Sequence, residues 1–170
     1  MKKFILILTT IFAFGISQQT IAQKDIVDIA VSNNDFSTLV SALKAADLVG
    51  ALQGDGPFTV FAPTNDAFGK IDSKTLNSLL EPKNKGALTS ILTYHVVPGK
   101  LKASDVVAAL KKGNGMTSVK TLSGATLKVK QKDGKIWLID ENGGYSQITN
   151  TDIMASNGVI HVIGDVVMPK

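Results

Sequence analysis

Two residue types are missing from this 170-residue sequence: it has no cysteine, and because it has no arginine all 18 basic residues are lysines. Without cysteine the chain can form no disulfide, no thiolate nucleophile and no Cys-ligated zinc site. Without arginine it lacks the planar group that holds phosphates and guanine edges with paired hydrogen bonds, which argues against sequence-specific recognition of nucleic acid. Proline is scarce, at 5 residues, and 44% of the residues are hydrophobic, so the composition is that of a globular domain.

Residues 1–22 have the three-part layout of a secretory signal peptide. Lys2 and Lys3 form a positive start, a mostly apolar run follows, and Thr20 and Ala22 are small residues at the −3 and −1 positions of a cleavage site. The apolar run is shorter than the roughly 20 residues that a membrane-spanning helix needs. We therefore expect an exported protein, periplasmic or secreted, with no membrane anchor after cleavage. The alternative is a leader that is retained as an N-terminal anchor.

The remainder, residues 23–170, is predicted to form one domain. A chain of this length buries enough surface around one core to be stable without cross-links. Removing the two leader lysines lowers the formal net charge from +4 to about +2, so the processed chain is nearly balanced. Binding to nucleic acid or anionic lipid that depends on net charge is therefore not expected.

Helical periodicity occupies the first half of the processed chain and strand periodicity the second. Apolar spacing predicts helices at residues 26–31, 35–43, 47–52, 64–68, 73–80, 87–92 and 104–110. Runs that favour β-structure predict strands at residues 58–61, 93–97, 126–131, 136–139, 147–150, 153–155 and 159–163. The turn Asp133-Gly134 joins two of these strands in a hairpin. The order of elements predicts an α+β fold.

Three segments resemble, in order, the signatures of the fasciclin domain. They are residues 58–68 (FTVFAPTNDAF), the pair Tyr94-His95, and residues 157–163 (NGVIHVI). The similarity runs from about residue 25 to residue 169, and the chain is similar to secreted, single-domain bacterial members of that family. The resemblance implies a wedge of two β-sheets with a cluster of helices packed beside it. In one departure, Gly164 stands where the family usually has aspartate.

Most signature residues are expected to stabilise the fold. The set is Thr59, Phe61, Ala62, Pro63, Thr64, Asn65, Asp66, Phe68, Asn157, Gly158 and His161. We expect the apolar members to fill a core strand and Thr64, Asn65 and Asp66 to satisfy backbone N–H groups of the next helix. Asn157-Gly158 is predicted to be a tight turn. His161, among apolar neighbours, is predicted to be a neutral core histidine with hydrogen-bond partners.

The pair Tyr94-His95 is the candidate binding site. The resemblance links this pair both to stability of the fold and to binding of cell-surface receptors. In a strand over residues 93–97 the two side chains would point to opposite faces. We therefore expect Tyr94 to be the exposed contact and His95 its buried support, and the alternative is that both are structural.

Catalytic signatures are absent from the sequence. A hydrolase would have to use His95 or His161 as its base, yet there is no Gly-x-Ser-x-Gly nucleophile motif. No spacing typical of a metal site and no glycine-rich phosphate loop is present, so no metal or cofactor is implied. We expect a monomeric, non-enzymatic adhesion protein that binds a cell-surface or matrix protein or glycan, not nucleic acid. The alternatives are a structural envelope component without a soluble ligand and, third, a secreted hydrolase.

Overall fold

The computed structural model describes residues 23–170; the predicted leader and its cleavage site lie outside the described residues. Short helices dominate the first part of the described chain. They are α1 (Ile26–Val31), α2 (Ser37–Ala45), α3 (Val49–Leu52), α4 (Asn65–Gly69), α5 (Ser73–Leu80), α6 (Lys85–Tyr94) and α7 (Ala103–Lys112). The strands are β1 (Phe58–Pro63), β2 (Val96–Pro98), β3 (Met116–Lys120), β4 (Thr126–Lys132), β5 (Lys135–Ile139), β6 (Tyr145–Ala155) and β7 (Gly158–Ile163). Within residues 23–170, no helix is both long and apolar enough to cross a membrane.

The strands form a ladder in the order β2-β1-β7-β6-β5-β4-β3. The pair β1–β7 is parallel and places Phe61 opposite His161, whereas the other pairs are antiparallel. Strand β6 belongs to both halves of the ladder, because its start pairs with β5 and the remainder pairs with β7 across register shifts between Ile148 and Ile153. The predicted α+β class is therefore confirmed, and the two sheets are joined through β6.

Strands β1 and β7 are buried on both faces and separate two apolar cores. On one side, Val60 and Ile160 pack with helices α1 to α6. On the other side, Phe61 and Ile163 pack with α7 and with the inner face of β4 and β5. Apolar side chains of these strands therefore contribute to both cores, as expected for strands covered on both faces.

The predicted hairpin is present as strands β4 and β5. Val129 lies opposite Leu138, and both side chains are buried. The turn residues Asp133 and Gly134 have φ angles of 53° and 73°. Two positive φ angles in a two-residue loop are the signature of a type I′ turn, whose twist matches that of the flanking strands.

The strand predicted at residues 93–97 is wrong. Helix α6 continues through Tyr94, His95 is its C-cap with φ −81° and ψ −5°, and β2 begins only at Val96. The buried pair Leu88 and Leu92, four residues apart, fixes this helix against the core. Packing of the helix therefore overrides the strand preference of the residues at its end.

Candidate functional site

Tyr94, the residue expected to contact a partner, is buried. Its side chain is 0% exposed, and its hydroxyl donates a hydrogen bond of 3.2 Å to the carbonyl oxygen of Thr126 in β4. Burial raises the pKa of Tyr94 to about 12, with further contributions from the negative charges of Glu141 and Asp140. The expectation that Tyr94 points outward from a strand is therefore wrong, because the end of a packed helix carries it into the second core.

His95 is also buried, and it links helix α6 to the end of the chain. Its Nδ1–H group donates to the carbonyl oxygen of Ile91 at 2.8 Å. Its Nε2 atom accepts from the backbone N–H of Val167 at 3.2 Å. Burial lowers the pKa of His95 to about 4, and the hydrogen bond to Ile91 opposes this only in part. At neutral pH the ring is therefore uncharged and acts as a structural bridge.

His161 occupies the interior between β7 and the bulge of β6. Its Nε2–H group donates to the carbonyl oxygen of Leu101 at 2.8 Å, and Nδ1 accepts from the N–H of Asp152 at 3.3 Å. The ring stacks on Phe61 with centroids 5.8 Å apart and an angle of 29° between planes. This pattern of one donor and one acceptor fits a neutral imidazole.

The two histidines therefore have backbone partners at all four ring nitrogens. A general base needs a ring nitrogen that faces the proton to be removed. In His95 and His161 those positions already face carbonyl oxygens or amide groups of the fold. This arrangement suits a structural role and offers no site for a hydroxyl nucleophile.

The first signature segment is built into the core and into neighbouring loops. Thr59 is 0% exposed; its hydroxyl donates to the carbonyl oxygen of Gly99 at 2.6 Å and accepts from the N–H of Leu101 at 2.8 Å. It thereby fixes the loop that follows β2. The apolar signature residues of the segment are buried, and these are Phe61, Ala62, Pro63 and Phe68.

The polar residues of that segment divide their roles. Thr64 caps α4, since its hydroxyl accepts from the N–H of Ala67 at 3.3 Å. Asn65 does not cap its own helix as predicted. Its Oδ1 atom instead accepts from the N–H of Thr38 at 3.0 Å, and its Nδ2 group donates to the carbonyl oxygen of Asn34 at 2.8 Å. Asn65 therefore joins α4 to the start of α2.

Asp66 lies exposed in the first turn of α4. A carboxylate at this position is favoured by the positive end of the helix dipole. Its contribution to α4 is therefore electrostatic rather than a defined cap.

Asn157 joins three separate parts of the chain. Its Oδ1 atom accepts from the N–H of Ile26 at 3.0 Å, and its Nδ2 group donates to the carbonyl oxygens of Leu52 and Gly54 at 2.7 and 3.1 Å. The next residue, Gly158, is in close contact with the backbone. A Cβ atom there would collide with the carbonyl oxygen of Phe58 and approach the Ile26 side chain.

The acidic residue displaced by one position from the family pattern has a partner. Asp165 forms an ion pair of 2.7 Å with Lys70, which also donates to the carbonyl oxygen of Gly164 at 2.8 Å. The backbone N–H of Gly164 donates to Gln147 at 3.0 Å. The change to glycine therefore leaves the end of β7 connected both to the sheet and to α4.

The outer face of β3, β4, β5 and the start of β6 carries several polar residues. We call this surface the lysine face, and its five lysines are Lys120, Lys128, Lys130, Lys132 and Lys135. The same strands bury Val129 and Leu138 on their inner face. The alternation of lysine with apolar residues in β4 is visible in the sequence. Nothing in the local pattern indicates that these lysines share a face with Lys120 and Lys135, because that depends on the pairing of the strands.

Aromatic residues lie among these lysines. Across the strands, Lys130 is directly opposite Trp137, which is opposite Gln147. Trp137 is half-buried, and Tyr145 is 53% exposed. The two rings meet edge to face, with centroids 6.5 Å apart and an angle of 73°. The lysine face therefore combines positive charge with an apolar ring surface.

An open groove of about 380 Å³ continues the lysine face at its end. Lys128 and Lys170 line it together with Asp140 and Glu141. The Asp140 carboxylate accepts hydrogen bonds from backbone N–H groups, including those of Gly144 at 2.7 Å and Met168 at 3.1 Å. The volume lies within the range of small-molecule sites in proteins.

A second open cavity, of about 580 Å³, lies near the start of α1. Its polar lining includes Asp25, Asp28 and Lys100. The two carboxylates form a capping box with the backbone of α1, and Asn157 on the same wall is the structural bridge described above. The side chains of Asp25, Asp28 and Asn157 therefore already have hydrogen-bond partners within the fold.

Comparison with known proteins points to one family. The fasciclin domain model matches residues 34–169. Protein sll1483 of Synechocystis sp. is 50% identical over 144 residues, which cover 85% of this chain and 73% of that protein. Transforming growth factor-beta-induced protein ig-h3 of Sus scrofa is 36% identical over 146 residues, covering 85% of this chain and 19% of that one.

One solved structure has the same fold. It is a FAS1 domain pair from the insect cell adhesion molecule fasciclin I, with a TM-score of 0.74 and 19% sequence identity. The match covers 85% of this chain and 51% of that chain. At this level of identity the likeness concerns the fold alone.

Proposed function

The chain belongs to the fasciclin domain family, and from this premise we propose that it is an exported, non-enzymatic adhesion module. It attaches to a cell-surface or matrix component through an exposed surface of a monomeric domain. Membership of this family, in which the resemblance links the Tyr-His pair to binding of cell-surface receptors, supports this class of function. Export follows from the predicted leader, which places the start of the processed chain at Gln23.

The observation that carries the proposal is the burial of the chemically capable signature residues. Tyr94, His95 and His161 are at most 3% exposed, and their polar atoms bond to the fold itself. A role in binding therefore falls to side chains on the surface. The lysine face is the exposed surface that combines charge with aromatic area, the two features that recur at binding sites.

Tyr94 and His95 contribute to this surface by support rather than by contact. The Tyr94 hydroxyl donates a hydrogen bond to the carbonyl oxygen of Thr126, and Thr126 begins the strand that carries Lys128 and Lys130. Removal of the Tyr94 side chain would therefore alter the lysine face by shifting β4. Loss of binding in such a variant should accompany loss of stability.

The test is a binding assay with purified protein that begins at Gln23. Immobilised cell-surface and matrix preparations, separated into protein and glycan fractions, should retain the protein in a saturable manner. Absence of saturable binding to every fraction would contradict the proposal, and recovery only with the cell envelope would favour the structural alternative. Turnover of an ester or glycoside substrate would instead support a hydrolase.

Processing is tested separately by mass spectrometry of the exported protein. A mature N-terminus at Gln23 is expected, because small residues occupy the −3 and −1 positions before it. Retention of Met1 on the exported form would contradict both the cleavage site and the limits of the domain.

A further inference from the structure

We propose that the lysine face binds an extended acidic polysaccharide, a polymer whose sugar rings carry carboxylates. This inference rests on the proposed adhesive function and names the class of partner for the same exposed surface. Its basis is the coincidence, on one face of the sheet, of lysines outside any ion pair, regular spacing of those lysines and a half-exposed indole ring.

Among the described residues, the five lysines of the lysine face form no ion pair. The outward positions of β3, β4 and β5 hold lysines but no aspartate or glutamate. The ion pairs among residues 23–170 involve Lys70, Lys83 and Lys85, all on the helical side of the molecule. The nearest carboxylates in sequence, Asp133, Asp140 and Glu141, lie in the turns at the ends of the strands. Asp140 and Glu141 line the groove beside Lys128, so they reduce the positive charge only at that end of the surface.

Two of the lysines lie directly opposite each other on neighbouring strands, a pairing that does not stabilise the fold. Lys132 lies directly opposite Lys135 at the end of the hairpin. Like charges directly across a strand pair reduce the stability of the sheet. An arrangement that costs stability on a solvent-exposed surface is understandable when an anionic partner occupies it.

The spacing of the charges fits a linear partner. Lys128, Lys130 and Lys132 occupy alternate positions of β4, so their attachment points are about 6.7 Å apart along the strand. Lys135 and Lys120 extend the positive surface onto the strands on either side. A compact anion would reach one or two of these groups. An extended chain with repeated negative charges can contact all of them.

The aromatic residues favour sugar rings as the units of that chain. Trp137 lies in the cross-strand row between Lys130 and Gln147, and Tyr145 contacts its ring edge to face. A half-exposed indole offers an apolar surface for the C–H face of a pyranose. The neighbouring amide of Gln147 and hydroxyl of Ser118 can exchange hydrogen bonds with sugar hydroxyls.

Other macromolecules fit this surface less well. Platforms for single-stranded nucleic acid use a series of open aromatic rings and arginines that stack on bases. Here Trp137 and Tyr145 pack against each other edge to face, and the sequence has no arginine. The centres of protein–protein interfaces are depleted in lysine. The lysine face has five lysines on three strands, so its composition differs from that of an interface centre.

The nearly neutral net charge does not contradict this inference. The expectation against charge-driven binding followed from the sum of charges over the chain. The structure separates those charges, with the lysine face on the second half of the sheet and the ion pairs of Lys70, Lys83 and Lys85 elsewhere. Local fields at a surface depend on that distribution rather than on the sum.

The experiment measures binding of the processed protein to immobilised alginate, a carboxylated polysaccharide, with neutral dextran and sugar-free polyphosphate as comparison polymers. The triple variant Lys128→Gln/Lys130→Gln/Lys132→Gln should weaken alginate binding at least about tenfold. The control Lys24→Gln/Lys44→Gln/Lys74→Gln removes the same charge from exposed positions on the helical side and should stay within about twofold of the unmodified protein. Melting temperatures of both variants establish that they are folded.

A further variant, Trp137→Leu, separates sugar recognition from charge. It should weaken alginate binding about threefold or more and leave polyphosphate binding unchanged. Equal loss in both triple variants would overturn the assignment to the lysine face. Binding of single-stranded DNA, anionic lipid vesicles or polyphosphate as tight as that of alginate, insensitive to Trp137→Leu, would overturn the assignment to a polysaccharide.

Failure of this inference differs from failure of the proposed function. If the protein binds a cell-surface or matrix fraction but does not bind alginate, and the lysine variant retains that binding, the polysaccharide inference is wrong and the adhesive function stands. If the protein binds neither alginate nor any surface fraction, both are wrong.

Discussion

Tyr94 and His95 are adjacent in sequence, yet their side chains hold different parts of the molecule. The Tyr94 hydroxyl bonds to Thr126 in β4 within the second core, whereas His95 Nε2 accepts from the N–H of Val167 near the end of the chain. Their backbone supplies a further link, because the carbonyl oxygen of His95 accepts from the N–H of Phe61 in β1 at 2.9 Å. This pair therefore connects helix α6 to both halves of the sheet.

The burial of His95 predicts a specific loss of stability in acid. Its pKa is about 4 in the folded protein, against an ordinary value of 6.5. Between these values the unfolded chain binds more protons, so the free energy of unfolding should fall as pH drops from about 6.5 to about 4. The contribution is complete above pH 6.5 and amounts to about 3 kcal/mol at most. Urea melts at several pH values measure it.

The variant His95→Gln provides the comparison. Glutamine keeps a donor and an acceptor but does not titrate in this range, so the fall between pH 6.5 and 4 should be reduced. Proton NMR can follow the ring directly, because the chain has only 2 histidines and His161→Gln assigns the signals. The same acid dependence in His95→Gln as in the unmodified protein would contradict the role of His95.

Tyr94 should ionise only in strongly alkaline solution. The chain has 2 tyrosines, so the variant Tyr145→Phe leaves Tyr94 as the sole phenol. Its absorbance near 295 nm should rise around pH 12, since burial and neighbouring carboxylates disfavour the phenolate. Ionisation near pH 10 in a chain that circular dichroism finds folded would contradict the burial of Tyr94.

The contribution of the Tyr94 hydrogen bond to the free energy of unfolding can be measured separately. Tyr94→Phe removes the donor to Thr126 and leaves the ring, so we expect a loss of about 1 kcal/mol in the free energy of unfolding. Tyr145→Phe, at an exposed hydroxyl, should change it by less than about 0.5 kcal/mol. Chemical denaturation of the two variants compares them, and equal effects would exclude a special role for the Tyr94 hydroxyl.

Asn157 should be the costliest polar side chain to truncate. Asn157→Ala removes bonds to Ile26, Leu52 and Gly54 together. We expect a loss of about 3 kcal/mol, because about 1 kcal/mol is typical for each bond and its partners become unsatisfied. Asn150→Ala, at an exposed position of β6, should stay within about 0.5 kcal/mol. Similar melting temperatures for both variants would contradict the bridging role.

Two glycines should respond to alanine in opposite directions. Gly158→Ala places a Cβ against the carbonyl oxygen of Phe58, and backbone in the parallel β1–β7 pair cannot move aside cheaply. We expect a loss of about 3 kcal/mol or more. Gly86, at an exposed position near the start of helix α6, has open space around it, so Gly86→Ala should stabilise by up to about 1 kcal/mol. Calorimetry measures the change in stability of each variant. A Gly158→Ala variant as stable as the unmodified protein would contradict the close contact between β1 and β7.

Local sequence patterns determined those helices and strands in which local propensity and tertiary packing favour the same structure. Helix α5 was predicted at about residues 73–80 and is observed at those bounds, with the Asp72 side chain accepting from the N–H groups of Lys74 and Thr75. The hairpin of β4 and β5 followed from period-two alternation and the Asp133-Gly134 turn. The family, and with it the fold, followed from three signature segments in order. These signals lie within short stretches of chain, so no distant contact is needed to read them.

Only the tertiary structure decided where each signature side chain points. Residues 93–97 favour a strand by propensity, yet the packing of Leu88 and Leu92 extends α6 and turns Tyr94 inward. The parallel pairing of β1 with β7 joins segments about 100 residues apart, and no local pattern encodes such a contact. The lysine face likewise exists only once β3, β4 and β5 are paired in register, because charge separated along the chain becomes one surface when strands bring it together.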